Sequence, residues 1–287
     1  HMSKIDLKNI SHSYNPNDLN PTYALNPFSM TWKNGNRYAI LGPSGCGKTT
    51  MLNIVSGLVR PSAGNILFDD KDVTNLKTES RNIAQVFQFP VIYNTMTVYE
   101  NLAFPLKCRD FLKDKIEERV NSVADTLNLK SFLNSPARKL TADQKQLISL
   151  GRGLVREDVA AVLMDEPLTV IDPDLKFRLR RKLKEINEEF KTTLVYVTHD
   201  QNEAMTFADN IIVMSEGEVV QAGTPKELFE RPNTTFVGYF IGSPAMNLFE
   251  SEVSSNDGVK INNTLVKTNT DLSSLKSKNI KLGIRSE

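Results

Sequence analysis

Arg37-Tyr38-Ala39-Ile40-Leu41 is a short apolar run bounded by polar residues, the pattern of a buried strand. It leads into a Gly-rich turn and then a helical stretch from about Lys48 to Ser56, which Gly57 is placed to end. Val159 to Met164 and Thr193 to Val197 predict two more buried strands. Ile211-Ile212-Val213-Met214 followed by Glu216-Gly217-Glu218-Val219-Val220 predicts a hairpin. Between Gln88 and Asp158 the pattern changes. Phe111 to Leu127 is strongly charged with helical periodicity, and Ala142 to Val155 reads as a further helix. Strands alternating with helices predict an α/β sheet fold, and the middle stretch predicts a helical subdomain inserted into it at about 89–158. After Phe240 the composition moves toward Ser, Asn, Thr and Lys, with short alternating segments such as Gly258-Val259-Lys260-Ile261. The expected organisation is an α/β domain over 3–240, then a linker and the start of a small β domain over 241–287. There is no repeat of solenoid length.

Composition narrows the function. A chain of 287 residues allows a substantial core. Lys and Arg number 35 against 34 Asp and Glu, which lacks the basic excess of a nucleic-acid binder. Cys46 and Cys108 are far apart and match no metal spacing, so a reducing compartment is expected. No apolar stretch is long enough to span a bilayer, and no signal peptide is visible. Any service to a membrane would go through partners. The His1-Met2 opening has the look of an expression remnant, so the native chain is expected to begin at Met2.

Gly42-Pro43-Ser44-Gly45-Cys46-Gly47-Lys48-Thr49 fits the P-loop pattern, with a strand before it and a helix after it. Its glycines let backbone N–H groups converge on phosphate oxygens, and the helix N-terminus adds its positive dipole end. Gly42, Ser44, Gly45, Cys46, Gly47, Lys48, Thr49 and Thr50 are the expected phosphate-binding set. Lys48 would face the β- and γ-phosphates and the Thr49 hydroxyl would ligate Mg²⁺. Val162-Leu163-Met164-Asp165-Glu166-Pro167 is a buried strand ending in two acids. There Asp165 would hold Mg²⁺ and Glu166 would polarise the attacking water.

The order and spacing of these motifs resemble the ABC ATPases, P-loop NTPases with an inserted helical subdomain. The resemblance covers roughly 3–240 and implies ATP and Mg²⁺ as ligands. It implies that Gln88, in Val86-Phe87-Gln88-Phe89, is the Q-loop residue that contacts Mg²⁺ or the attacking water. It also implies that His199, in Val197-Thr198-His199-Asp200, donates to the γ-phosphate, and that Asp172 belongs to the D-loop at a dimer interface. Glu166, His199, Gln88 and Lys48 form the expected catalytic set. An aromatic ahead of the first long strand stacks on adenine in this family. Tyr14 is the candidate and Tyr23 the competitor, because the Asn- and Pro-rich stretch between them is long.

Leu140-Thr141-Ala142-Asp143-Gln144 departs from the family's Leu-Ser-Gly-Gly-Gln signature. Thr141 keeps the hydroxyl and Gln144 is retained, but both glycines are gone. Thr141 and Gln144 also make a capping box for the following helix. In the family's dimer this segment faces the γ-phosphate bound by the opposite subunit. A carboxylate ~5 Å from a phosphate charge, at an effective dielectric of ~20, is repelled by roughly 3 kcal/mol per unit charge. Alternatively Asp143 turns aside and serves the helix dipole. Because a homodimer would repeat the altered signature at both sites, a second ATPase subunit is expected as partner, in a heterodimer.

Met96-Thr97-Val98-Tyr99-Glu100-Asn101-Leu102-Ala103 and Gly223-Thr224-Pro225-Lys226-Glu227-Leu228-Phe229-Glu230-Arg231-Pro232 resemble importer subunits of the carbohydrate-uptake group. That group carries a C-terminal β domain. Lys281-Leu282-Gly283-Ile284-Arg285-Ser286-Glu287 resembles an early strand of it, so the chain is expected to stop partway into that domain. The altered signature with Ile148 to Val155 and Pro167 to Pro173 resembles an ATPase subunit of bacterial glycerol-uptake ABC transporters. The resemblance implies integral-membrane permease partners, an extracytoplasmic solute-binding protein acting indirectly, and a peripheral position on the cytoplasmic face of the inner (cell) membrane. Phe89-Pro90-Val91-Ile92-Tyr93 would form a permease docking groove or belong to the core. The rival reading is a non-transport ABC-type switch that uses ATP-dependent dimerisation.

Overall fold

The structure is a computed structural model that describes residues 4–242, 244–275 and 277–286. His1, Met2, Ser3 and Glu287, to which the expected start and domain bounds refer, lie outside the described residues. The chain divides into two compact units, His1–Val219 and Val220–Glu287.

In the first unit, β1 (Ile5–Ser13) pairs antiparallel with β2 (Tyr23–Trp32). The chain then enters a second sheet through β3 (Arg37–Leu41) and runs by way of the P-loop into α1 (Lys48–Ser56). The strands β4 (Ala63–Phe68) and β5 (Lys71–Asp72) return to the first sheet, whose order is β2-β1-β4-β5. A short helix α2 (Thr78–Arg81) leads to β6 (Ile83–Val86). Next come α3 (Val98–Lys107), α4 (Lys113–Thr126) and α5 (Ala142–Leu154), which pack on one another. Sheet and helix then alternate through β7 (Ala161–Asp165), α6 (Pro173–Phe190), β8 (Leu194–Thr198), α7 (Gln201–Phe207) and β9 (Asn210–Ser215). The strand β10 (Glu218–Gly223) carries the chain into the second unit.

The second sheet has the order β10-β9-β3-β8-β7-β6, and the pairs β9-β3, β3-β8, β8-β7 and β7-β6 are parallel. Parallel strands are covered on both faces, so they read as continuous apolar runs. All five residues of β8 are buried, as are the last four of β3. The helix α1 closes one face by burying Met51, Leu52, Ile54 and Val55. Its C-terminal carbonyls, which have no partner within the helix, are taken up by the buried guanidinium of Arg81. That group donates to Ile54 O at 2.8 Å and Val55 O at 3.1 Å. The expected hairpin is present with one difference: Glu216 and Gly217 form its turn, at φ 50° and 77°, the left-handed geometry that matches strand twist. Where α3 crosses α5, a Cβ on Gly151 would lie 2.7 Å from the Leu102 side chain. A larger residue there would require the Leu102 side chain to move.

The second unit contains α8 (Pro225–Glu230), α9 (Thr235–Phe240) and four strands: β11 (Asn247–Ser255), β12 (Gly258–Ile261), β13 (Thr264–Lys267) and β14 (Asn279–Ile284). These strands form an antiparallel sheet in the order β13-β12-β11-β14. Among the described residues, no helix is long and apolar enough to cross a membrane.

Candidate nucleotide site

The register of the parallel sheet assembles the site. Leu41 at the end of β3 lies opposite Thr198 at the end of β8, and Asp165 at the end of β7 lies opposite Val197. The P-loop, the two acids and His199 therefore leave the sheet at one edge, the carboxyl ends of its strands, where α/β sheets bind ligands. The P-loop turns sharply into α1. Gly47 has φ 106°, and a Cβ there would sit 2.7 Å from Ala24 O, so this position tolerates glycine alone.

Lys48 is buried and its Nζ donates to Gly42 O at 2.5 Å and Pro43 O at 2.8 Å. Its charge is thus held at the centre of the loop. The Cys46 thiol is also buried, 3.8 Å from the same nitrogen. The Thr49 hydroxyl donates to Asp165 Oδ2 at 2.9 Å. Burial raises the Asp165 pKa above the usual carboxylate value. The Thr49 hydrogen bond and the Lys48 charge act against that, while Glu166 adds to it. Glu166 has φ 45°, a left-handed conformation uncommon away from glycine. Its Oε1 is paired with His199 Nδ1.

Lys48, Thr49, Asp165 and Glu166 border a cleft of roughly 500 Å³, lined also by Tyr14, Ala24, Ser44, Gly45, Gly47, Thr50 and Gln88. Tyr14 is 64% exposed, and its hydroxyl lies 3.0 Å from Thr50 Oγ1. The edge of the His12 ring meets Tyr14 at 4.5 Å between centroids and 89° between planes. Burial holds the His12 imidazole below its ordinary pKa. Tyr23, the competing aromatic, is exposed and is not among the lining residues.

Other expected residues lie at helix starts away from this cleft. Thr141 caps α5 in a capping box with Gln144: Gln144 N donates to Thr141 Oγ1 at 3.4 Å and Thr141 N to Gln144 Oε1 at 3.0 Å. Asp143 is hydrogen-bonded to the Thr141 hydroxyl, which lowers its pKa. Within this chain it therefore serves the start of its own helix. Asp172 caps α6, with Oδ1 accepting from Asp174 N at 3.0 Å and Leu175 N at 3.3 Å. Phe89, Val91 and Tyr93 are exposed. Val91 helps line a second groove of about 340 Å³, with Phe104, Pro105, Arg109, Arg152 and Arg156.

Two residues near the site escape the sequence reading. Gln146 is fully buried and donates to Phe87 O at 3.0 Å and Pro167 O at 2.9 Å. Glu203 is buried on α7. It accepts from Thr198 Oγ1 at 2.8 Å and Tyr196 Oη at 3.1 Å, and pairs with Lys176 and Arg180 of α6 at 3.6 and 3.7 Å. The available signal was a polar residue on the apolar face of a helix, which names no partner.

A fold of this order, with a P-loop and a strand-end acid pair on one sheet edge, defines a P-loop ATPase. The family model described as ABC transporter matches residues 25–169. The sn-glycerol-3-phosphate import ATP-binding protein UgpC of Psychromonas ingrahamii is 40% identical over 286 residues, covering 100% of this chain and 74% of that protein. UgpC 3 of Agrobacterium fabrum is 42% identical over 256 residues, 89% of this chain and 71% of that protein. Among solved structures, cbiO1 from Clostridium perfringens, part of the ABC transporter complex cbiONQ, shows 28% identity. Its TM-score is 0.71 over 82% of this chain and 94% of that one. A dimeric ATP-binding cassette in a post-hydrolysis state bound to ADP and Pi shows 29% identity and a TM-score of 0.68 over 77% of this chain and 98% of that one. The chain belongs to the ABC transporter family, and it is an ABC ATPase that binds ATP.

Proposed function

We propose that this ATPase powers import of a glycerol-type solute through a membrane transporter. The observation that carries the reading is the cleft where Lys48, Thr49, Asp165 and Glu166 converge. The solute class is supported by relatives whose names specify sn-glycerol-3-phosphate import, a phosphorylated form of the glycerol expected from the sequence. The nucleotide-binding part is proposed to run over 3–240, with its helical subdomain at 89–158, and the β segment over 241–287 to be regulatory. The working position is peripheral, on the cytoplasmic face of the cell membrane, against permease subunits served by an extracytoplasmic solute-binding protein. A permease segment would seat in the groove at Val91 and Phe104, whose three arginines suit an acidic helix end.

In the cleft, the P-loop amides and Lys48 cradle the β- and γ-phosphates. Tyr14 offers a ring face to adenine, held by His12 and the Thr50 hydroxyl. The Thr49 hydroxyl and Asp165 carboxylate are oxygen donors 2.9 Å apart, a donor set that fits Mg²⁺, which takes one or two protein oxygens together with phosphates. Bound there, Mg²⁺ would neutralise charge on the β- and γ-oxygens. Glu166 accepts a proton from the attacking water, His199 orients Glu166 and donates to the γ-phosphate, and Gln88 reaches the same region from the strand edge. The opposite wall would come from a partner's signature segment. Since Ala142 and Asp143 replace two glycines here, the working unit is a heterodimer with a second ATPase subunit.

The test uses cells that express the chain. Glu166→Gln should abolish uptake of radiolabelled glycerol and of sn-glycerol 3-phosphate. Undiminished uptake of both would overturn the solute assignment, independently of ATP hydrolysis measured on purified protein.

A further inference from the structure

One face of α5 is polar although it is turned inward. Gln146, Ser149 and Arg152 recur every three residues and so share that face, and Arg156 continues the row just past the helix end. Each engages the backbone of the segment running from β6 to Tyr93. Gln146 Nε2 donates to Phe87 O at 3.0 Å, and Ser149 Oγ accepts from Val91 N at 3.1 Å. Arg152 donates to Val91 O at 2.6 Å and Arg156 to Ile83 O at 3.1 Å. Gly153 lets the helix approach closely, since a Cβ there would lie 3.0 Å from Val86. The helix that starts at Thr141 and the loop that carries Gln88 are fastened together along three turns.

Gln146 also reaches a third segment. Its second bond goes to Pro167 O at 2.9 Å, the residue after Glu166. Proline has no N–H, so this carbonyl is its only backbone hydrogen-bonding group. The two carbonyls held by one amide thus flank Gln88 and Glu166 by a single residue each. A rotation of either peptide re-aims the neighbouring side chain. The amide has one workable orientation: flipped, its oxygen would face two carbonyl oxygens. Gln146 Oε1 is buried with no hydrogen-bond partner among the described residues, so the two donated bonds set that orientation.

We propose that Gln146 is a positioning residue that ties the loops carrying Gln88 and Glu166 to the first turns of α5, so that nucleotide in the cleft is felt at Thr141-Asp143-Gln144. The proposal rests on the reading of the cleft given above. A merely structural glutamine would affect stability and leave this communication intact.

Two variants test it. Gln146→Met keeps the length and removes both donors, and Gln146→Glu keeps the shape and reverses the hydrogen-bonding sense. Backbone hydrogen exchange is followed with and without Mg-ATP, below the unfolding midpoints of all proteins, beside calorimetric ATP affinities and, in membranes carrying the assembled transporter, kcat and KM for hydrolysis. In the wild-type chain, ATP should slow exchange over 42–49 and over both 86–93 and 141–149. In the variants, protection over 42–49 should persist with affinity within about twofold, while protection over 141–149 is lost. kcat should fall at least about tenfold with KM little changed, the signature of an interaction that matters in the transition state. Undiminished protection of 141–149 in both variants, or unchanged kcat, would overturn the role of Gln146 alone. Failure of ATP to protect 42–49 in the wild type would overturn the reading of the cleft and this proposal with it.

Discussion

Burial raises the Asp165 pKa, and the Thr49 hydroxyl and Lys48 charge only partly oppose it. A carboxyl whose folded pKa is raised binds more protons folded than unfolded, so its contribution to stability falls as pH rises through its titration. At neutral pH the ionised Asp165 therefore costs stability. Asp165→Asn keeps an oxygen for Thr49 and removes the charge. In thermal melts without nucleotide it should raise the midpoint at pH 7 by roughly 1–3 °C, with the gain shrinking as pH falls toward the ordinary carboxylate range. A lower midpoint at pH 7 would contradict this. In the proposed mechanism its neighbour Glu166 acts in the transition state, so Glu166→Gln should bind ATP with near wild-type affinity and lose at least about a hundredfold in turnover. Single-turnover hydrolysis beside calorimetry separates the two. Tyr14 offers a stacking face, which any aromatic supplies. Tyr14→Phe should change ATP affinity little and Tyr14→Ala should weaken it several-fold, whereas Tyr23→Ala should leave it alone.

At the scale of elements, the parts of the site legible in the sequence are those whose pattern is local. The β3 and β7 runs are continuous and apolar because parallel strands are buried on both faces, and the P-loop glycines announce a turn that only they can make. Thr141 and Gln144 were readable as a cap because the capping box lies within four residues. The sheet of β1, β2, β4 and β5 was not legible: the β1–β4 pairing that joins its two hairpins links residues 52 to 63 apart, and β2 alternates buried with exposed positions only weakly. Gln146 was missed because its partners lie 59 and 21 residues away, and Glu203 because the two cations paired with it belong to another helix. The cap itself carries a prediction. Thr141→Val removes the acceptor for Gln144 N and should cost about 1 kcal/mol of stability, read in urea melts. Asp143→Gly, which leaves the Thr141 hydroxyl in place, should cost less. A loss in Asp143→Gly as large as that in Thr141→Val would contradict the assignment of the cap to Thr141.

At the scale of the whole molecule, the two halves of the motif set point in different directions. Lys48, Thr49, Asp165, Glu166 and His199 sit together at one sheet edge, whereas Thr141, Asp143 and Asp172 occupy helix starts that do not line the cleft. That division suits an ATPase whose sites are completed across a dimer. In the heterodimer proposed here, the cleft of this chain meets the partner's signature and Asp143 meets the partner's nucleotide. Purified alone, the chain should be monomeric or weakly dimeric with low ATPase activity. Brisk turnover by the isolated chain, unaffected by Asp143→Gly, would remove the asymmetric arrangement. Each of these behaviours requires that the cleft around Lys48 takes ATP with Mg²⁺. A calorimetric titration of the wild-type chain and of Lys48→Ala with ATP, each with and without Mg²⁺, tests it most directly. Mg²⁺-strengthened binding to the wild type and at least about a tenfold loss of affinity in Lys48→Ala are expected, whereas equal affinity of the two proteins would contradict ATP binding in this cleft.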